Sequence, residues 1–197
     1  MALPPELLRA ISREEVNALP VRRYEGEVHI IAGARELAAA MDDILAERLV
    51  GFDTETRPSF RAGETYPPSL AQLATARSVY LFQLRHREVA VALGKVFGEE
   101  HITKAGVGLA DDLKALKKLV EFTEKSVVDL GVAASREGLK QTGVRNLAAI
   151  FLGFRIPKGT KTSNWARAKL TPQQIAYAAT DAWACREIYL RLAEFGV

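Results

Sequence analysis

Cysteine is almost absent from this chain of 197 residues, and long apolar runs are absent altogether. The single cysteine, Cys185, excludes an internal disulfide and any zinc site built from several cysteines. No apolar run approaches the ~20 residues that a membrane-spanning helix needs, so no membrane partner is expected. The N-terminal segment has two early prolines and no apolar core, which argues against a cleaved secretory signal. These absences together predict a cytoplasmic protein.

The composition is that of an ordinary soluble globular protein, with 48% hydrophobic and 26% charged residues. The net charge is only +3, but the bases are unevenly distributed. Between residues 139 and 180 there is no acid, and the bases are Lys140, Arg145, Arg155, Lys158, Lys161, Arg167 and Lys169. Such a stretch favours an anionic partner, of which nucleic acid is the commonest. A solvated basic surface is the alternative interpretation.

Hydrophobic periodicity divides the chain into an N-terminal extension, residues 1–26, and one domain, residues 27–197. The extension is predicted to carry a helix over 5–18. Strands are predicted at 28–31, 49–54, 69–75, 78–84, 102–105 and 126–129, with helices at 33–47, 87–97 and 109–120 and from Thr171 to about Ala193. The strands at 69–75 and 78–84 are predicted to pair as a hairpin. Early hairpin strands followed by alternating helices and strands indicate an α/β fold with a mixed sheet.

The first candidate site lies in Gly51-Phe52-Asp53-Thr54-Glu55, at the end of an apolar strand. Asp53 and Glu55 are two residues apart, so both carboxylates are expected on one face of the strand. Two adjacent like charges are costly unless a cation holds them, and hard oxygen ligands suit Mg²⁺ or Mn²⁺. An ordinary polar strand end is the alternative.

The second candidate is the turn from a strand through Gly106 and Gly108 into a helix that begins with Asp111 and Asp112. A dinucleotide-binding fingerprint is rejected because Asp111 stands where its third glycine belongs. Acids in the first turn of a helix are also favourable for purely structural reasons.

The third candidate is Tyr177-Ala178-Ala179-Thr180-Asp181. Residues four apart share one helix face, so the Tyr177 hydroxyl and the Asp181 carboxylate are expected to point the same way. A carboxylate on an alanine-rich face needs a partner or a metal ion. A structural hydrogen-bonded pair of tyrosine and aspartate is the alternative.

These three motifs in this order closely resemble the DEDD exonucleases, and the tyrosine places the resemblance in the DEDDy branch. The histidine branch is excluded because Ala176 occupies the position of its histidine. The likeness to ribonuclease D and to the exonuclease domain of the Werner-syndrome helicase covers residues 28–194. Further matches are Val128-Asp129-Leu130, Asn146-Leu147 to Leu152-Gly153, and Ser163-Asn164-Trp165.

The resemblance implies a ribonuclease H-like fold, a mixed five-stranded sheet flanked by helices. It also implies a 3′-5′ exonuclease that uses two divalent metal ions, Mg²⁺ or Mn²⁺, and releases nucleoside 5′-monophosphates. The implied metal ligands are Asp53, Glu55, Asp112 and Asp181, with Asp53 shared by both ions. Tyr177 is implied to orient the attacking water. Counting along the motif selects Asp112 over Asp111.

The implied partner is nucleic acid with a free 3′ end, either RNA or single-stranded DNA. Family likeness and the basic stretch before the last helix select the substrate-contacting residues Thr54, Lys158, Lys161, Ser163, Asn164 and Arg167. Trp165 is expected to pack beneath this segment. A catalytically silent nucleic-acid-binding module with the same fold is the main alternative, and a phosphatase or endonuclease with this fold is a further one.

Overall fold

The computed structural model describes residues 3–4, 7, 9–61, 63–158 and 163–197. The strands in these ranges are β1 Glu27–Ile31, β2 Leu49–Glu55, β3 Leu70–Ala74, β4 Ser78–Gln83, β5 Thr103–Gly106 and β6 Val127–Asp129. The helices are α1 Arg13–Ala18, α2 Ala34–Leu45, α3 Arg87–Gly98, α4 Leu109–Leu116, α5 Leu130–Arg136, α6 Val144–Leu152 and α7 Pro172–Glu194. Among the helices so described, none has the length and apolar character to cross a lipid bilayer.

The strands form one mixed sheet in the order β1-β4-β3-β2-β5-β6. The hairpin of β3 and β4 is antiparallel as predicted, and β2 is antiparallel to β3 and parallel to β5. The α/β class is therefore confirmed. The count of five strands implied by the resemblance is wrong, because the described residues form six, one at each of the six positions predicted from hydrophobic periodicity. The short strand β6 pairs in parallel with β5, where its backbone satisfies polar groups that β5 would otherwise leave unpaired at the sheet edge.

The two faces of the sheet are covered by different helices, as the period-2 alternation of side chains requires. On one face, Phe52 and Phe82 pack with residues of α2, α3 and α4. On the other face, Leu70 and Leu81 pack under the alanines of α7. Asp53 and Glu55 follow Gly51 at alternate positions of β2, so their side chains lie on the face that α7 covers.

The N-terminal helix is shorter than predicted. The structure begins it at Arg13, because Ser12 accepts from the Glu15 backbone N–H and the Glu15 side chain accepts from the Ser12 backbone N–H, forming a capping box. Ile11, just before this cap, is buried and exchanges two hydrogen bonds with the side chain of Gln141. Residues 9–12, the described residues directly before Arg13, therefore lie against the domain outside any helix. The division of the chain at residue 26 stays a prediction.

Candidate active site

Three carboxylates meet where β2 ends beneath α7. One oxygen each of Asp53, Glu55 and Asp181 lies within 4.8 Å of the other two. The prediction that Asp53 and Glu55 share a face is confirmed. Gly51 makes this meeting possible, because a Cβ at that position would lie 2.0 Å from the carbonyl oxygen of Ala182 in α7. Only a residue without a side chain lets the helix lie this close to the strand.

Burial and mutual repulsion keep these acids from ionising easily. Burial, and then the charges of Asp181, Glu55 and Asp112, raise the pKa of Asp53 well above its usual value. Burial and the neighbouring aspartates raise the pKa of Glu55 to about 8. Burial raises the pKa of Asp181 to about 6, against the lowering effects of the Tyr177 hydrogen bond and the charge of Arg145. The cluster therefore holds more negative charge than the surrounding protein compensates.

Asp112 lies beside this group and approaches from the other face of β2. Its Oδ1 accepts a hydrogen bond from the Thr54 hydroxyl. Burial raises the pKa of Asp112, and its charge in turn raises the pKa of both Asp53 and Glu55. Asp111 is exposed on the outer surface of α4. The geometry thus agrees with the motif count that selects Asp112 over its neighbour.

Two features that position Asp112 were not deduced from the sequence. Asp129, at the end of β6, accepts a hydrogen bond from the backbone N–H of Leu109 over 2.9 Å and so fixes the position of the first turn of α4. Its other oxygen caps α5 by accepting from Gly131 and Val132. An aspartate directly before a helix is a recognisable N-cap, so this signal was available. No local pattern indicates the hydrogen bond from Thr54 to Asp112, because it joins residues 58 positions apart.

Tyr177 lies one helical turn before Asp181, as predicted. Burial, and then the charge and hydrogen bonding of Asp181, raise the pKa of its phenol above the usual value. It lines a cleft of about 490 Å³ together with Trp165 and Lys158. Trp165 is only 6% exposed and packs with Leu170 and the alanines of α7, which confirms the packing role expected for it.

The donor set fits a divalent metal ion of the Mg²⁺ or Mn²⁺ kind. All of the clustered donors are carboxylate oxygens, the ligands that these hard cations prefer. In the described part of the chain, Asp181 Oδ1 is buried without a hydrogen-bond partner. A bound cation would supply the missing partner and offset the repulsion among the acids.

A sequence profile of the 3′-5′ exonuclease family matches residues 28–195, nearly the whole chain. The chain belongs to this 3′-5′ exonuclease family. Among its relatives, a ribonuclease D of Acidiphilium cryptum is 31% identical over 81% of this chain and 41% of the relative. The bifunctional 3′-5′ exonuclease/ATP-dependent helicase WRN of mouse is 30% identical over 90% of this chain and 13% of the relative. The chain therefore spans less than half the length of either relative.

The fold of this exonuclease-family chain also has solved counterparts. The EXO domain of Aedes aegypti Nibbler superposes with a TM-score of 0.77 at 24% identity, covering 90% of this chain and 92% of that domain. The resemblance to ribonuclease D and the Werner-syndrome exonuclease domain is confirmed by the relatives. The family is one of hydrolases that act on nucleic acids.

The predicted substrate-contacting residues are spread over more than one surface. Lys158 and Ser163 line the cleft that contains Tyr177. Arg167 lines a second cleft on the other side of Trp165. Asn164 uses its side-chain oxygen within its own loop, accepting from the Ala166 N–H over 3.1 Å. Lys161 lies outside the described residues.

Proposed function

We propose that this chain is a metal-dependent 3′-5′ exonuclease that hydrolyses the terminal phosphodiester bond of RNA or single-stranded DNA. The proposed products are nucleoside 5′-monophosphates, released one at a time. The observation that carries the proposal is the meeting of Asp53, Glu55 and Asp181 within 4.8 Å in a chain of the 3′-5′ exonuclease family. Asp112, held by Thr54 beside them, supplies the fourth carboxylate.

The residues of the site divide the work between holding metal and orienting water. Asp53, Glu55 and Asp181 would hold two divalent ions together with Asp112. Bound Mg²⁺ or Mn²⁺ supplies an activated water and stabilises the oxygen that leaves. The phenol of Tyr177 stays protonated near neutral pH, because its pKa is raised above an already high value. Tyr177 therefore orients water by hydrogen bonding and does not remove its proton.

The surroundings of the site suit a polyanion. The cleft beside Tyr177 contains Arg23 and Lys158. It shares Trp165 with a cleft of about 420 Å³ whose bases are Arg57, Arg85 and Arg167. It shares Lys158 with a third cleft, of about 470 Å³, whose other bases are Arg13 and Arg145. Among the described residues that line these three clefts there is no aspartate or glutamate.

This distribution of charge supports a nucleic-acid strand as the substrate. An acidic centre would hold metal ions at the scissile phosphate, while bases in the adjoining clefts would neutralise phosphates farther along the strand. Contacts to phosphates position a strand without reading its bases, so little sequence preference is expected. The uneven distribution is notable because the chain as a whole carries a net charge of only +3.

The test is incubation of 5′-labelled single-stranded RNA and DNA of matched sequence with the protein and Mg²⁺ or Mn²⁺. A ladder that shortens by one nucleotide from the 3′ end, and disappears in EDTA, is the expected result. The Asp53→Asn variant serves as the inactive control. Binding without cleavage by the unsubstituted protein would identify a silent binding module, and internal cuts would identify an endonuclease.

A further inference from the structure

A glutamine in the middle of the sheet has a buried side chain without a hydrogen-bond partner among the described residues. Gln72 of β3 has no exposed surface. Neither its side-chain nitrogen nor its side-chain oxygen has a partner within the part of the chain that the structure describes. A buried amide left in this state destabilises the fold, and an apolar residue of the same size would avoid that cost.

The other buried glutamines of the described chain are well satisfied. The Gln83 amide donates to the carbonyl oxygen of Ala168 over 3.0 Å, and its oxygen accepts from Arg85 over 3.1 Å. The Gln174 amide donates to the carbonyl oxygen of Asn164, and its oxygen accepts from the Thr171 N–H over 2.9 Å. The unsatisfied state is thus a property of the position of Gln72 and not of buried glutamines in this fold.

That position is directly beside the carboxylate cluster. Gln72 is the cross-strand partner of Asp53 in the antiparallel pair of β2 and β3. Side chains of such partners lie on the same face of the sheet, with Cβ atoms about 5 Å apart. This is the face covered by α7, where Asp181 Oδ1 also lacks a partner. A glutamine amide therefore stands within side-chain reach of an aspartate that is crowded by other acids.

We propose that Gln72 is a positioning residue for metal binding, whose amide N–H donates a hydrogen bond to the carboxylate of Asp53 when that carboxylate is ionised and holds metal. This inference rests on the proposed function, because it needs the cluster to bind divalent ions. A neutral donor favours the ionised carboxylate and fixes its orientation without competing for the metal as a cation would. The cost of the unpaired amide in the metal-free protein is then offset in the metal-bound state.

The experiment compares Gln72→Met with Leu81→Met. Methionine fills nearly the volume of glutamine but donates no hydrogen bond. Leu81 is the β4 partner of Gln72 on the same buried face, one strand farther from Asp53, so its substitution controls for repacking. Titration calorimetry with Mn²⁺ gives the affinity, and thermal unfolding with and without Mn²⁺ gives the metal-induced shift in Tm.

We expect Gln72→Met to bind Mn²⁺ about 10-fold more weakly or worse, the usual range for loss of a hydrogen bond to a metal ligand. In EDTA the same variant should be as stable as the unsubstituted protein or more stable, since the unpaired amide is gone. Leu81→Met should keep the original Mn²⁺ affinity. A purely structural role would instead lower Tm equally with and without Mn²⁺ and leave the affinity unchanged, which overturns the inference.

The outcomes separate this inference from the proposed function. If the unsubstituted protein does not bind Mn²⁺, the proposed function fails. If it binds and Gln72→Met binds equally well, only the role of Gln72 fails. Should Gln72→Met not fold, Gln72→Leu is measured in its place. Failure of both to fold in EDTA would show that the amide supports the fold itself and would also contradict the inference.

Discussion

Asp43 in α2 and Asp53 in β2 are both acids that lie beside the central strands of the sheet, and the groups that surround them differ in kind. The Asp43 side chain, 13% exposed, accepts hydrogen bonds from the Tyr80 hydroxyl over 2.9 Å, from the Thr75 hydroxyl over 3.1 Å and from the guanidinium of Arg77. Burial alone would raise the pKa of Asp43, but these donors outweigh it and lower the pKa. Protein groups thus satisfy this acid completely.

Asp53, by contrast, is surrounded by further acids. Its pKa is raised by burial and by Asp181 and Glu55, and Asp181 Oδ1 has no partner among the described residues. The contrast shows how a structural carboxylate differs from one that awaits a cation. An acid whose charge is balanced by protein donors stabilises the fold by itself, whereas a cluster in which repulsion and burial outweigh its few donors destabilises the metal-free fold and gains further partners on binding metal.

Replacing Asp53 should have the largest effect on activity. Asp53→Asn keeps the shape of the side chain but removes the charge shared by the proposed metal ions. We expect cleavage of 5′-labelled RNA to fall by about 10³-fold or more, since metal stabilisation of the transition state is worth several kcal/mol. Circular dichroism should show the fold intact. Cleavage at the original rate would contradict the metal assignment.

Removing metal should make stability depend on pH in a specific direction. Because the pKa of Glu55 is raised to about 8 and that of Asp181 to about 6, the folded state holds protons that the unfolded state releases. The stability that these two acids contribute in EDTA should therefore be fully present below their unfolded pKa values of about 4, where both states are protonated, and should be lost progressively as the pH rises to about 8. Thermal unfolding between pH 5 and 8 measures this decline.

Two comparisons sharpen that measurement. Adding Mg²⁺ or Mn²⁺ at pH 8 should restore the Tm lost in EDTA. Asp53→Asn should decline less steeply than the unsubstituted protein in EDTA, because one of the repelling charges is gone. Equal slopes for the two proteins would show that the cluster is not the source of the pH dependence.

Asp43→Asn is the matched substitution at the acid satisfied by protein donors, and it should lower stability without affecting activity. We expect exonuclease activity to be unchanged and the free energy of unfolding at pH 7 to fall by about 2 kcal/mol, as for lost hydrogen bonds to a charged group. Because the folded pKa of Asp43 is lowered, its contribution exists above the unfolded pKa and is lost as the pH falls below it. Urea unfolding at pH 7 and pH 3 should show the difference between the two proteins shrinking at pH 3.

Among substitutions within the active site, Tyr177→Phe should have the smallest effect on activity. The metal ligands stay in place and one hydrogen bond to the attacking water is lost, so we expect kcat to fall by about 10-fold with KM unchanged. Single-turnover assays with saturating enzyme provide the measurement. A loss as large as that of Asp53→Asn would mean that the phenol does more than orient water.

Local signals in the sequence predicted most of the helices and strands and the acids of the carboxylate cluster. The strand before Asp53, the capping box at Thr171 and the four-residue spacing of Tyr177 and Asp181 all depend on neighbours along the chain, and the structure has each of them. The predicted N-terminal helix is too long because the pattern of residues 5–18 resembles a single helix, whereas burial of Ile11 against Gln141 holds residues 9–11 outside it and α1 begins at Arg13. Contacts between distant segments override local periodicity there.

The sequence by itself determined the kind of site: four acids and a tyrosine, in an order and spacing typical of one exonuclease family, on strand ends and helix starts. Only the tertiary structure decided which groups surround each acid. It placed three side-chain donors around Asp43, three other acids and an unpaired glutamine near Asp53, and the Thr54 hydroxyl on Asp112. The reason is physical: a carboxylate's charge state and role depend on its neighbours in space, and those neighbours come from strands and helices far apart in the chain.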